Sequence, residues 1–234
     1  METDLARYDC RRGEFIRPSS LESRILYSGL QTLGLDLSQV QIDNLLAYLA
    51  LIQKWNKVYN LSSVRDPAKM LTHHLLDSLA VVLPLHKHLL NDSCHPVHLL
   101  DVGSGAGLPG VVIAICYPTV QVDCVDAVAK KAAFIQQVAV ELKLQNLRSI
   151  HGRVESLTDR YDVITSRAFA SLLDFTTLSG SALAESGVWL AMKGKHPTDE
   201  LAALPVSVDV FHVKQITVPS LEAERCLVWM RRLV

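Results

Sequence analysis

The run Leu99-Leu100-Asp101-Val102-Gly103-Ser104-Gly105-Ala106-Gly107-Leu108-Pro109-Gly110 decides how this chain is read. His98 to Val102 is apolar enough for a strand, the glycines end it, and Val111 to Cys116 suits a helix. Strand, glycine turn and helix in that order predict a ligand site, because open parallel sheets bind at the carboxyl ends of their strands. Glycine lets the backbone turn tightly there and come close to a ligand.

Outward from this run, short strand-like stretches alternate with helical ones. Val120 to Val125, Leu147 to His151, Tyr161 to Thr165 and Val188 to Met192 read as strands, and Lys130 to Leu142 and Leu172 to Leu183 as helices. Val206 to Val218 and Cys226 to Arg231 read as two consecutive strands with no helix between them. Such alternation predicts an α/β fold, a mostly parallel sheet covered on both faces and closed by an antiparallel pair. Before residue 96 the texture is helical. Ser38 and Gln41 make a capping box, and Ile42, Leu45, Leu46, Leu49, Ile52 and Trp55 recur on one face. Leu21 to Leu33 is a shorter helix, and another helical stretch runs from about Met70 towards Pro84. The expected organisation is a mobile tail over 1–18, a helical region over 19–96 and a nucleotide-fold domain over 97–234.

Composition narrows the function. The 234 residues carry 23 basic and 24 acidic side chains, ten of each sign up to Pro96. A free-standing nucleic-acid binder usually shows a basic excess, so contact with RNA here needs a local patch or a structured substrate. The longest apolar runs, Leu45 to Ile52 and Val111 to Tyr117, are less than half a membrane span, and the N-terminal residues carry no signal-like stretch. Five scattered cysteines, none spaced C-x-x-C, fit reduced thiols in a cytoplasm. A cytoplasmic protein without membrane contact is expected.

Two cofactors compete for the glycine loop. Gly105-x-Gly107-x-x-Gly110 satisfies the dinucleotide fingerprint, with Asp126 about 20 residues on, so an NAD-dependent oxidoreductase is a real competitor. Asp101, two residues before Gly103, instead makes the run Asp-x-Gly-x-Gly-x-Gly, habitual in S-adenosylmethionine-dependent methyltransferases. That cofactor needs a carboxylate for its ribose, which Asp126 can supply, and has no pyrophosphate to seat on a helix N-terminus. Asp101, Gly103, Gly105 and Asp126 are the candidate cofactor residues.

Further blocks are more specific: Trp55-Asn56-Lys57-Val58-Tyr59-Asn60-Leu61, Val64-Arg65-Asp66, His74-Leu75-Leu76-Asp77-Ser78, Arg153-Val154-Glu155, Ser166-Arg167-Ala168-Phe169-Ala170 and Met192-Lys193-Gly194. With the glycine loop they make the chain resemble the bacterial RsmG (GidB) methyltransferases, over roughly residues 50 to 232. The resemblance implies a Rossmann-like class I methyltransferase with a seven-stranded, mostly parallel sheet and an N-terminal helical extension. It also implies the activity: S-adenosylmethionine as methyl donor and N7 of a guanosine in 16S ribosomal RNA as acceptor. It carries cofactor contacts onto Gly103, Leu108, Val154, Glu155 and Arg167. The chain departs from the family at Ala127, where a polar residue often follows the acid, and at Cys226, where histidine is common.

The chemistry implied needs no general base, since guanine N7 offers an in-plane lone pair and no proton, so no catalytic residue is assigned. The expected task is alignment, with Arg167 an anchor for cofactor or RNA phosphate. Arg153, Lys193, Lys195, Arg65 and Lys130, with Lys131 and Lys57, are candidate phosphate contacts. The partner expected is 16S rRNA within the 30S subunit or an assembly intermediate. A methyltransferase with another substrate, and a cofactor-sensing RNA-binding factor without turnover, remain open alternatives. His73-His74, His86-x-His88 and Cys94-His95 lack a second ligand cluster, so no metal is expected. Trp55 and Tyr59 read as core or domain-contact residues, and His74 as facing the catalytic domain.

Overall fold

A computed structural model describes residues 7–9, 14–16, 20–89, 96–167, 169 and 171–233. Of the expected tail, β1 (Arg7–Asp9) and β2 (Glu14–Ile16) pair antiparallel, and the rest of 1–18 lies outside the described residues. The helices α1 (Leu21–Leu33) and α2 (Gln39–Tyr59) follow. The capping box at Ser38 forms: the Gln41 N–H donates to Ser38 Oγ, and the Ser38 N–H to Gln41 Oε1. The same Gln41 amide donates to the carbonyls of Ile115 and Cys116, 74 and 75 residues away, so the cap also ties α2 to the helix that follows the glycine run.

The helix expected from Met70 to Pro84 is broken. α3 (Pro67–Met70) widens into a π-helical stretch, Leu71–Leu76, and resumes as α4 (Asp77–Leu79) before a turn and α5 (Val82–Leu89). The Asp77 N–H donates to Thr72 O, five residues back, and to His74 O. Periodicity alone does not reveal one inserted residue in a helix.

The rest is β3 (His98–Val102), α6 (Gly110–Cys116), β4 (Gln121–Asp126), α7 (Ala129–Glu141), β5 (Leu147–His151), β6 (Tyr161–Arg167), α8 (Leu172–Ser179), β7 (Leu183–Lys193), α9 (Thr198–Ala202), β8 (Val208–Ile216) and β9 (Arg225–Arg232). They form a seven-stranded sheet in the order β5-β4-β3-β6-β7-β9-β8. β5 to β7 pair parallel through β4, β3 and β6, and β9 runs antiparallel to both β7 and β8. The class expected from the alternation is therefore present.

Two elements differ from the sequence reading. The helix expected over 172–183 stops at Ser179, whose hydroxyl donates to Phe175 O and accepts the Trp189 indole N–H at 2.9 Å. That bond ties the helix end to β7, which begins at Leu183, five residues before the expected strand. The short helix α9 lies between two expected strands, in a stretch to which the sequence assigns no element.

One core cluster runs from Leu26, Leu45 and Ile52 through Val111, Ile113, Phe134 and Val138, so the N-terminal helices and one face of the sheet share a buried interior. The other face, with Leu100, Ile164, Phe175 and Trp189, packs under α8. Among the described residues no helix is long and apolar enough to cross a membrane.

Candidate active site

The mouth of the site is built where β3 and β4 end. Asp101 has no exposed surface, and its Oδ2 accepts the Gly110 N–H at 2.9 Å, which closes the N-terminus of α6. Only glycine allows this approach, since a Cβ on residue 110 would lie 2.4 Å from Cys124 Sγ and 2.9 Å from Asp101. Asp101 Oδ1 has no hydrogen-bond partner among the described residues. Burial pushes this carboxyl up to about 7, against the pull of the Gly110 N–H. A buried acid held at such a disadvantage at a sheet mouth is a mark of a functional site.

Gly103 turns the chain with φ +64°, a left-handed conformation that side chains disfavour. A Cβ there would find Phe169 as its nearest neighbour, at 3.6 Å, so the loop leaves room on that side. Asp126 binds the loop from the next strand. Its Oδ2 accepts the Gly105 N–H at 2.9 Å, its Oδ1 the Val128 N–H at 2.8 Å, and Lys131 Nζ lies 3.7 Å away. A carboxylate oxygen with one such bond still has a lone pair for a ligand hydroxyl.

From below, α2 contributes Tyr48, whose buried hydroxyl donates to Ala106 O at 2.5 Å. Sequence reasoning missed this residue, although Leu45, Tyr48, Leu49 and Ile52 share one helical face. Leu108 and Val154 are buried, and Glu155 is exposed on a single 3-10 turn beyond β5. Gly152, just before that turn, donates its N–H to Asp126 O at 3.1 Å, so 154–155 flank the Asp126 corner.

These groups fit an adenosine-bearing cationic cofactor better than a dinucleotide. A pyrophosphate would need the free N–H groups at the start of α6, and the first is already held by Asp101. The Asp126 carboxylate at the mouth also disfavours an anion and suits a cation.

A second wall stands at the ends of β6, β7 and β9, around a cleft of about 390 Å³. Arg167, expected as an anchor, turns towards the helical region: its Nη1 donates to His73 O at 2.8 Å and to Asp77 Oδ2 at 3.1 Å. Arg225 Nε donates to the other oxygen of Asp77 at 2.7 Å. His74, expected to face the catalytic domain, is buried and lines this cleft beside Arg167, with its Nε2 2.8 Å from Ser62 Oγ in the helical region. Burial, helped by Arg167, pushes its imidazole down to about 4, so it is uncharged at neutral pH.

The candidate phosphate contacts do not form one patch. Lys193 lines the cleft but is paired with Glu200 Oε2 at 2.7 Å, with a side chain only 13% exposed. It enters as half of an ion pair, because α9, which carries Glu200, lies where no helix was read. Lys195, Arg153 and Lys130 are exposed, with no ion pair among the described residues. Arg153 and Lys130 follow β5 and β4 while Lys195 follows β7, so they flank the mouth from opposite sides. Arg65 donates to Asn60 Oδ1 at 3.4 Å beside a separate hollow of about 370 Å³ that Lys57 also lines.

The family described as rRNA small subunit methyltransferase G (GidB) matches residues 41–228, which takes in both walls. The chain belongs to this family. Among rRNA small subunit methyltransferase G proteins, that of Acidovorax sp. strain JS42 is 64% identical over 211 residues, covering 88% of this chain and 93% of its own. That of Acidovorax ebreus is 63% identical over 218 residues, covering 91% and 96%. Among solved structures, TrmN from Thermus thermophilus superposes with a TM-score of 0.54 at 16% identity, covering 70% of this chain and 53% of its own. The ribosomal protein L11 methylase of Lactobacillus delbrueckii subsp. bulgaricus does so with 0.51 at 15%, covering 67% and 79%. At such identities the structural likeness speaks for the class I methyltransferase fold, and the family assignment for methyltransferase activity.

Proposed function

We propose that this protein transfers the methyl group of S-adenosylmethionine to N7 of one guanosine in 16S ribosomal RNA. It acts in the cytoplasm on the 30S subunit or an assembly intermediate. Residues 19–96 serve as a helical region that braces a methyltransferase domain over 97–234. The observation that carries the choice of cofactor is the Asp101–Gly110 bond, which occupies the helix start a dinucleotide would need. The family assignment supports the choice of rRNA as substrate.

Gly103, Gly105, Leu108, Asp126, Val154 and Glu155 would hold the cofactor, with Asp126 placed for the ribose and Asp101 fixing the loop. When bound, the cofactor supplies an electrophilic methyl on a cationic sulfur, so the N7 lone pair forms the N–C bond while the C–S electron pair stays with sulfur. No residue has to move a proton in this step. Asp77 is engaged by two arginines, and His74 meets Ser62. The chain's work is alignment and the exclusion of water. Arg153, Lys130 and Lys195 would meet RNA phosphates on either side of the mouth, with Arg65 further along the helical region; their exposure supports this.

Methyl-tritiated S-adenosylmethionine incubated with undermethylated 30S subunits tests the reading. Label should enter 16S rRNA at one guanosine and make the strand there sensitive to N7-specific cleavage. Label absent from the rRNA would overturn the proposal.

A further inference from the structure

The cleft between the helical region and the strand ends contains a buried group that the reaction as described does not use. Asp77, its side chain 4% exposed, sits on α4 and bridges two arginines from the sheet, Arg167 at the end of β6 and Arg225 at the start of β9. The partners lie 90 and 148 residues away in sequence, so the bridge exists only when the helical region packs against the sheet. Stability alone is a weak reason to keep a buried ion triad, since well-packed apolar residues often replace one at no loss. This triad also borders open space, and each arginine remains 21% exposed.

The unengaged atoms point to a ligand. Arg167 uses Nη1 for both His73 O and Asp77 Oδ2. Arg225 uses Nε for Asp77 Oδ1 and Nη1 for Glu224 O. Nε and Nη2 of Arg167 and Nη2 of Arg225 have no protein acceptor among the described residues. The cleft therefore offers unengaged N–H donors, while each Asp77 oxygen is held by a guanidinium group. Its volume of about 390 Å³ lies within the usual range of small-molecule pockets, ~300–1,000 Å³. It also adjoins the cofactor mouth, because β6 pairs directly with β3, and Ser166 Oγ donates to Val102 O at 3.0 Å beside the glycine loop.

We propose that this cleft receives the target guanine and reads its O6 edge, and that Asp77 is the positioning residue that aims Arg167 and Arg225 while cancelling one of their charges. The inference rests on the N7-methylation reading given above. Guanine shows acceptors at O6 and N7 where adenine shows an N6 donor beside N7, so a wall of unengaged guanidinium donors accepts guanine and rejects adenine. N7 must stay free for the methyl group, which leaves O6 as the atom to bind. Two arginines alone would oppose the positive charge that develops on the purine as the methyl group arrives. With Asp77 the trio carries a net charge of about +1 instead of +2, while donor geometry is kept. The neighbouring Lys193–Glu200 pair adds no net charge, and the neutral His74 adds none.

The test is Asp77→Asn, assayed with undermethylated 30S subunits and labelled S-adenosylmethionine, alongside calorimetry with S-adenosylhomocysteine. Loss of the carboxylate leaves the cleft more positive, so kcat should fall at least about tenfold while KM for the subunit does not rise. Affinity for S-adenosylhomocysteine should stay within about threefold of the parent. A merely structural role would weaken cofactor binding in step with turnover, and that result, or an unchanged kcat, would overturn the inference. Should Asp77→Asn not fold, Arg225→Gln takes its place. It should raise KM for 30S subunits more than it lowers kcat, with unaltered S-adenosylhomocysteine binding, and unchanged KM would overturn the inference. Parent protein that puts no label into 16S rRNA would overturn the activity reading as well. Labelling by the parent with either failed variant result overturns the cleft inference alone.

Discussion

The two walls of the site are built in opposite ways. The proposed cofactor wall comes from one short run, 101–110, fastened by Asp126, which accepts the N–H of Gly105 from 21 residues on. The cleft wall joins Asp77, Arg167 and Arg225, pieces of three distant segments. The first depends on backbone conformation and close approach, which a few residue types reveal. The second depends on how the helical region seats on the sheet, which no local pattern encodes. Ligand grip should therefore fail through local strain at the first wall and through altered charge at the second.

The sharpest way to break that contrast is Gly103→Val. A β-branched residue at φ +64° is strained, and its side chain would enter the space the loop leaves open. S-adenosylhomocysteine should bind at least about a hundredfold more weakly, or ~3 kcal/mol, while the far-ultraviolet circular dichroism stays that of the parent. Normal calorimetric titration would remove Gly103 from the cofactor wall.

A smaller effect concerns Asp101. Its folded carboxyl is pushed up to about 7 from an ordinary 3.8, so the folded chain holds that proton more tightly than the unfolded one. The resulting stabilisation is complete below about pH 4 and is lost as pH rises through 7. Asp101→Asn has no such loss, and so should gain about 2 kcal/mol on the parent between pH 5 and pH 8. Parallel thermal-unfolding curves across that range would mean that the carboxylate is matched by a charge. Smallest is Tyr48→Phe, which removes the only protein donor to Ala106 O among the described residues. It should lower stability by about 1 kcal/mol and loosen cofactor binding a few-fold, measured by denaturant unfolding and calorimetry. An effect confined to stability would show that the helical region braces the domain without tuning the loop.

Legibility follows the same division. Asp101, the glycines and Asp126 could be read because strand, turn and helix each leave their own periodicity. The capping box at Ser38 could be read because its two partners are three residues apart. The end of α8 was only half legible: Ser179-Gly180-Ser181 is a turn signal inside an otherwise helix-compatible run, but the bond from Trp189 that fixes the stop at Ser179 comes from β7. The pairing of Lys193 was hidden for a similar reason: a strand-end lysine is readable, but its acid belongs to α9, a helix of five residues. Tyr48 sat within a visible stripe, where only the structure shows that its hydroxyl has a destination. Arg225 gave no sign at all, and Asp77 stood only as a member of the His74–Ser78 block, an ordinary charge until the chain brings the two together.

The π-helical stretch sets the bearing of that junction. Its additional residue directs the Asp77 N–H to Thr72 O and His74 O, and the His73 carbonyl takes a guanidinium N–H from Arg167. In an uninterrupted α-helix each residue advances the direction by about 100°. Excising one residue between 71 and 76 would thus swing the carboxylate around the helix axis without changing any side chain's chemistry. A length change there is a more searching lesion than any substitution, because it rotates the junction as a unit.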